Sequence, residues 1–426
     1  MNHKYGFHTN RTGDDVLDAI KRIHPKVIKA LDHDVGFWKQ VRAILPEVFV
    51  IGRLAVPQDA QDRFVHDPAG TGRSFAERIL RLEANRIAVD GRRLFDAWES
   101  YNEVLPGHAS PDNKKKYDDF QVAFAEPIKQ AGFEPIAMNF GTGNMIGDDF
   151  LTYFPGTLDS YRYLGFHEYD WPDMWRLHCQ NIVEKDEGGM WLTLRYRRIM
   201  SEVRKVYGNK HTILITECGM TQGVLGGEDL GPWHPPTVAQ HVLQQLRNQP
   251  RLYPGCPLGV REDPVDELRP DKGISEERYW QSLMWYNQEI MKDDYVQAAL
   301  LFVVGAIHPW ESFEHLGGII ARLEAYQQSE PEKPQPELPL EEKLLAAAAK
   351  AQVIEFNPRA ALQKRIFADG FVPNSAEFEI ESGGVRYVAQ RAEHLGTGEV
   401  RVYYVRQGAW AEVGHIKREG NEVLHT

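Results

Sequence analysis

The chain is poor in cysteine, has no long apolar run and carries no excess of basic charge, and each shortage narrows what it can be. Only three cysteines occur in 426 residues. Cys179, Cys218 and Cys256 are odd in number and lack CxxC spacing, which argues against a disulfide framework or a zinc site. Cys218 reads as a small buried packing residue. No stretch is long and apolar enough to cross a bilayer, so no membrane partner is expected. The formal net charge of −12 leaves no basic footprint for nucleic acid. The opening residues, Met1 to His8, lack the apolar run of a secretory signal. The expectation is a chain that is cytoplasmic, released by lysis, or a mature secreted form.

Nucleotide chemistry finds no support either. Phe7-His8-Thr9-Asn10-Arg11-Thr12-Gly13, after the first strand-like run, holds neither a GxGxxG turn nor a P-loop. Gly141-Thr142-Gly143-Asn144 is an isolated glycine-rich turn and weak evidence for phosphate, explained as well by backbone approaching a ligand at a strand end. A metal-dependent hydrolase barrel would want HxH on the first strand, where His8 stands singly. No metal or organic cofactor is expected.

What is present is ordinary globular material, 42% hydrophobic and 26% charged, arranged in a strand–helix alternation from Lys4 to about Ala325. Eight strands are predicted: Tyr5–His8, Val27–Leu31, Val48–Leu54, Leu94–Trp98, Pro135–Asn139, Tyr163–Glu168, Thr212–Thr216 and Ala298–Val304. Helices are expected between them over Asp14–Ile23, Ser74–Ile87, Met190–Tyr207 and Arg278–Met291. Eight such units without a strand-only region predict an α/β fold closed into a (β/α)8 TIM barrel. A long excursion from Gly219 to Ser275, with a helix over Val238–Arg247, follows the seventh strand and is expected on the functional face.

Ser329 to Pro339 is proline-rich and charged, and reads as a linker. Glu341–Gln352 favours helix by composition. The expected organisation is a barrel domain over 1–328, a linker and helix over 329–355, and a small C-terminal β-rich domain over 356–426. In that tail a helix is predicted at Ala360–Ala368, and strands at Glu377–Glu381, Val385–Arg391, Val400–Val405 and Trp410–Ile416.

Two strand ends carry carboxylates where a barrel would place its chemistry. Asn102-Glu103 follows the fourth strand, with Trp98 and Tyr101 as apolar surroundings and Glu99 as a competing acid. Glu217 follows the seventh. The sixth ends His167-Glu168-Tyr169, a spacing that puts both rings on one side of the strand. The eighth leads to Trp310. This set resembles the clan of (β/α)8-barrel retaining glycoside hydrolases that includes cellulases, mannanases and β-glycosidases. The resemblance implies a β-linked oligo- or polysaccharide substrate, Glu217 as nucleophile and Glu103 as acid/base. It further implies Asn102, His167, Tyr169 and Trp310 as substrate-binding residues. Arg53 and His8, at the ends of the third and first strands, join the expected substrate-binding set, and His33 and Asp34 are further candidates for hydroxyls. The run Ala361 to Pro373 resembles tails of phage-type cell-wall hydrolases, so the C-terminal domain is expected to bind polymer or cell wall. Two other functions fit the same sequence: a non-catalytic carbohydrate- or wall-binding barrel, and a muramidase-type lytic enzyme.

Overall fold

The computed structural model describes residues 3–145, 147–171, 173–175, 192–225, 228–233, 274–329, 361–394, 397–419 and 422–425. Helices expected over Val238–Arg247 and Glu341–Gln352, the proline-rich linker, Cys179 and Cys256 lie outside those residues. Two compact units divide the chain, Met1–Ser329 and Glu330–Thr426.

The first unit is a closed barrel of eight parallel strands: β1 (Tyr5–Thr9), β2 (Val27–Ala30), β3 (Phe49–Gly52), β4 (Ala97–Glu99), β5 (Glu134–Phe140), β6 (Tyr163–Asp170), β7 (Thr212–Met220) and β8 (Val296–Phe302). Each pairs with its sequence neighbours, and β8 closes on β1 with Tyr5 opposite Ala299. The principal helices outside the barrel are α1 (Asp14–Ile23), α2 (Val35–Ile44), α3 (Pro68–Leu80), α4 (Pro111–Gln130), α5 (Arg195–Tyr207), α6 (Glu276–Met291) and α7 (Gly318–Gln328). Helix α1 starts on Asp14 and Asp15 and ends on Lys21 and Arg22, the charge order its dipole favours.

The barrel interior is plugged by side chains rather than open. Val27, Ile51, Ala97, Ile136, Tyr163, Leu214, Ala298 and Leu300 form one buried apolar cluster drawn from β2 to β8. Strand β1 contributes Gly6 instead, where an added Cβ would lie 2.3 Å from the Val27 carbonyl and 2.5 Å from Leu300. Strand periodicity then decides what comes next. Two residues beyond the plug, the same inward face reads His8 on β1, Lys29 on β2, Arg53 just past β3 and Glu99 on β4. An apolar floor thus gives way to a charged layer at the C-terminal mouth.

Three local differences from the expected elements have physical causes. Helix α3 begins at Pro68, not Ser74, because Asp67 accepts the Gly70 N–H at 3.0 Å and proline suits the first turn. Its Gly72 sits where a Cβ would lie 2.4 Å from the Phe120 carbonyl, so close packing on α4 outweighs the poor helix propensity of PAGTG. Strand β4 is short and shifted, since the Asp96 carboxylate takes the Val50 N–H (2.7 Å) and pairs with Arg42. That shift carries Glu99 into the strand. In the tail, the strand expected from Trp410 starts at Gly414, and Trp410 is half exposed in the preceding turn.

The second unit holds a six-stranded antiparallel sheet: Val372–Pro373, Phe378–Ser382, Val385–Glu393, Val400–Arg406, Gly414–Glu419 and Glu422–His425. Helix Ala361–Ala368 packs Leu362 and Ile366 against Phe371, Val388, Tyr403 and Val405. The run that resembles phage-type tails therefore supplies core residues of this small domain. Each unit has its own core, and independent folding is the expected result. A chain ending at Ser329 should be soluble with an unchanged barrel melting transition by calorimetry; insoluble or molten protein would show that the barrel needs the tail.

Candidate active site

The charged layer converges on Glu217. Its Oε1 accepts from Lys29 Nζ at 3.0 Å and from Arg53 Nη1 at 3.1 Å, and His8 Nδ1 lies 3.6 Å away. Its Oε2 accepts from the Tyr169 hydroxyl at 3.1 Å. His167 Nδ1 stands between the two carboxylates named from the sequence, 2.6 Å from Glu103 Oε1 and 3.5 Å from Glu217 Oε2. Facing atoms of Glu103, His167 and Glu217 all lie within 4.8 Å of one another. Residues more than a hundred positions apart in the chain thus meet at one point.

Strict alternation would not have put Glu217 there. Leu214 faces the plug, so Thr216 should face inward and Glu217 outward. A register shift between β6 and β7 removes the conflict: Phe166 pairs with Ile215, but His167 pairs with Glu217. The bulge resets the parity and re-aims the glutamate into the mouth. Thr216 Oγ donates to Asn139 Oδ1 at 3.0 Å, and Asn139 itself sits at a second irregularity, on β5, with positive φ. Gly165 makes room for that amide, since a Cβ there would lie 2.0 Å from Asn139 Oδ1.

The His-x-Tyr spacing works as alternation predicts, because His167 and Tyr169 point inward. Glu168 points out, accepting the N–H groups of Leu194 (2.7 Å) and Tyr196 (3.2 Å) at the start of α5. Glu103 sits just past β4 with φ +51°, its N–H bonded to the Asn139 carbonyl at 3.0 Å. Its side chain is 42% exposed against 9% for Glu217, so the two carboxyls occupy different settings.

A cavity of about 320 Å³ opens over this pair. Arg53, Asn102, Glu103, Tyr169, Glu217 and Trp310 line it, joined by Asn10, Phe302 and the Gly141–Asn144 turn. His8 and His167 are fully buried beneath it. Asn102 Oδ1 and both side-chain polar atoms of Asn10 are buried without a hydrogen-bond partner among the described residues. Such groups at a cavity wall suit a polyhydroxylated ligand. Trp98 and Tyr101, expected around Glu103, instead pack outside the barrel, on Gly52 and Phe95 and on Phe75 and Phe120. Asp34 caps α2 through the Phe37 N–H, and His33 packs on Phe95 and Trp98. Neither lines the cavity.

Lys29, Asn10 and Phe302 were not named from the sequence. Lys29 left a trace: a lone lysine inside the apolar run Val27-Ile28-Lys29-Ala30-Leu31, with no route to solvent if the strand is central. Glu99, the competing acid, is fully buried and paired with Lys29 at 3.0 Å, below the cavity. Glu103, His167 and Glu217 are near enough to share an ion. Lys29 and Arg53 already neutralise Glu217, however, and a metal would bring a third positive charge to one carboxylate.

Burial pushes the Glu217 carboxyl toward its neutral form, but His167, Lys29 and Arg53 outweigh it and hold its pKa well below the usual 4.5. Burial, with Lys29 beside it, holds His8 neutral. Burial and then the Glu217 charge keep the Tyr169 hydroxyl protonated, fit to donate.

Fold and site together define a (β/α)8 barrel with a two-carboxylate mouth. No family model matches the chain, and no curated protein does. Three solved structures similar to it are glycoside hydrolases. One is a GH128 (subgroup II) endo-β-1,3-glucanase from Pseudomonas viridiflava, with 10% identity, TM-score 0.39, and 77% of this chain and 98% of that one covered. A GH2 β-galacturonidase from Eisenbergiella tayi shows 11% identity and TM-score 0.44, covering 77% of this chain and 51% of that one. The third is a modular family 26 endo-β-1,4-mannanase from Cellulomonas fimi, with 10% identity, TM-score 0.42, and coverage of 100% and 92%.

The depressed Glu217 pKa has a measurable consequence. A carboxylate whose folded pKa lies below its unfolded one stabilises the fold above the unfolded pKa, and that contribution is lost as pH falls toward the folded pKa. Urea unfolding below about pH 4.5 should show the wild type losing stability faster than Glu217→Gln, by up to ~1.4 kcal/mol per pH unit. Parallel pH dependences for the two proteins would contradict the assignment.

Proposed function

We propose that the protein is a retaining glycoside hydrolase acting on a β-linked glycan, with Glu217 as nucleophile and Glu103 as acid/base. The observation that carries this reading is that one oxygen of each carboxylate lies within 4.8 Å of the other, with His167 between them. Carboxyls about 5–5.5 Å apart suit direct attack, whereas inversion needs roughly 6.5–9.5 Å to seat a water. Their environments separate the roles. Glu217 is buried, ionised and fixed by three donors, as a nucleophile should be. Glu103 is more exposed and touches His167, where it can meet leaving group and water in turn.

In the first step a bond forms between a Glu217 oxygen and the anomeric carbon. The bond to the leaving oxygen breaks, and that oxygen takes its electron pair and the Glu103 proton. In the second, Glu103 removes a proton from water, which attacks the anomeric carbon and releases Glu217 as carboxylate. His167, hydrogen-bonded to Glu103, orients the acid, and the Tyr169 hydroxyl keeps Glu217 aimed. Asn102 and Asn10 offer hydrogen bonds to sugar hydroxyls. Trp310 and Phe302, whose rings are 6.2 Å apart, present apolar faces for the sugar C–H surface. In this reading the small C-terminal domain holds polymer or cell wall.

Reducing-sugar release over a panel of β-glucans, mannans, xylans and peptidoglycan should identify a substrate. On it, Glu217→Ala should lose at least about 10³-fold in kcat and regain part with azide. Glu103→Gln should lose most on substrates with poor leaving groups. A panel without turnover, or an unaffected Glu217→Ala, would overturn the proposal.

A further inference from the structure

We propose, resting on that reading of the cleft, that Lys29 is a positioning residue for Glu217 and that Glu99 is its built-in counter-ion. Lys29 is fully buried and divides its ammonium between Glu99 Oε2 and Glu217 Oε1, each at 3.0 Å. Glu99 is equally buried, and neither of its oxygens has a hydrogen-bond partner among the described residues. A buried carboxylate held by one ion pair and no hydrogen bond is a costly way to strengthen the fold, since an apolar pair of the same volume serves stability as well. The arrangement makes sense once the charge on Glu217 changes during reaction.

With Lys29 and Arg53 on Oε1, both acceptor directions of that oxygen are taken. Oε2 has one hydrogen bond, from Tyr169, and lies on the His167 and Glu103 side. Oε2 is then the oxygen free to bond the anomeric carbon, and Oε1 becomes the ester carbonyl, still held by its two donors. Forming the ester removes the negative charge of Glu217, while the leaving oxygen departs with the Glu103 proton. Lys29 would be left buried with no anion beside it, and Glu99 supplies that anion. Its presence also divides the pull of Lys29, so that Glu217 is not held so tightly as to lose nucleophilicity.

Among the described residues, the titratable and charged groups facing Glu217 are His8 on β1, Lys29 on β2, Arg53 after β3, Glu103 after β4, and His167 and Tyr169 on β6. Cys218 is its neighbour on β7, and Glu99 acts through Lys29. The test follows Glu217 directly, by ¹³C NMR of the full-length protein labelled at glutamate Cδ, its signal identified by loss in Glu217→Gln. Lys29→Met should raise the pH at which Glu217 titrates by ~1–3 units. Glu99→Gln, nearly isosteric, should lower it, because Lys29 then serves Glu217 alone. Shifts of opposite sign show that both charges reach Glu217, and the kcat-against-KM comparison below separates positioning from a merely structural pair. An unmoved Glu217 titration in Glu99→Gln overturns the inference, and this variant decides it even if Lys29→Met does not fold. On a substrate found by the panel, Lys29→Met should lower kcat by at least ~10-fold with KM little changed. Wild-type kcat in a folded Lys29→Met also overturns it, while the hydrolase reading stands. The titration uses no substrate, so failure of that reading shows separately, as a panel without turnover.

Discussion

The arrangement at the barrel mouth depends on one buried carboxylate and the charges that keep it ionised. Glu217 is 7% exposed, and a lone carboxylate so placed would take up a proton. Lys29 and Arg53 on one oxygen and Tyr169 on the other reverse that preference. Each of these donors comes from a different strand or strand end, which only a closed barrel brings within reach of a single side chain. The charged layer begins where the apolar plug ends, so the same periodicity that packs the interior also delivers the partners.

Backbone irregularity completes what periodicity begins. The shift between β6 and β7 turns Glu217 inward beside His167, and the neighbouring irregularity on β5 places Asn139 to hold Thr216 and the N–H of Glu103. Glu103 itself adopts a positive φ, a conformation that costs a non-glycine residue on the order of 1 kcal/mol or more. Positive-φ residues on β5 and just past β4 thus surround the point where the two carboxyls meet. Rigid strands supply position, and local strain supplies aim.

Much of this was legible in the sequence. Eight alternating units predicted the barrel, and strand-end positions brought Asn102-Glu103, Tyr169, Glu217, Arg53 and Trp310 to one cavity, with His167 beneath it. Three things were not legible. Alternation alone would send Glu217 outward, because a bulge has no signature in Thr212-Ile213-Leu214-Ile215-Thr216. Glu99 read as a competing acid just past the fourth strand, because the Asp96 side chain that displaces β4 along the chain acts through tertiary contacts with Val50 and Arg42. Lys29 went unnamed, since its partners lie 70 and 188 positions away. Trp98 and Tyr101 failed as neighbours of the acid for a simpler reason: they point to the helices, where Gly52 and Phe120 receive them.

The proposal that matters most is double displacement by Glu217 and Glu103. The most direct measurement is the anomeric configuration of the first-formed product, followed by ¹H NMR from the moment enzyme meets a cleaved β-linked glycan, before mutarotation. The account predicts that the β-anomer appears first and the α-anomer grows in only at the rate of spontaneous equilibration. Initial appearance of the α-anomer would mean inversion, with a water seated between the carboxyls, and would contradict it.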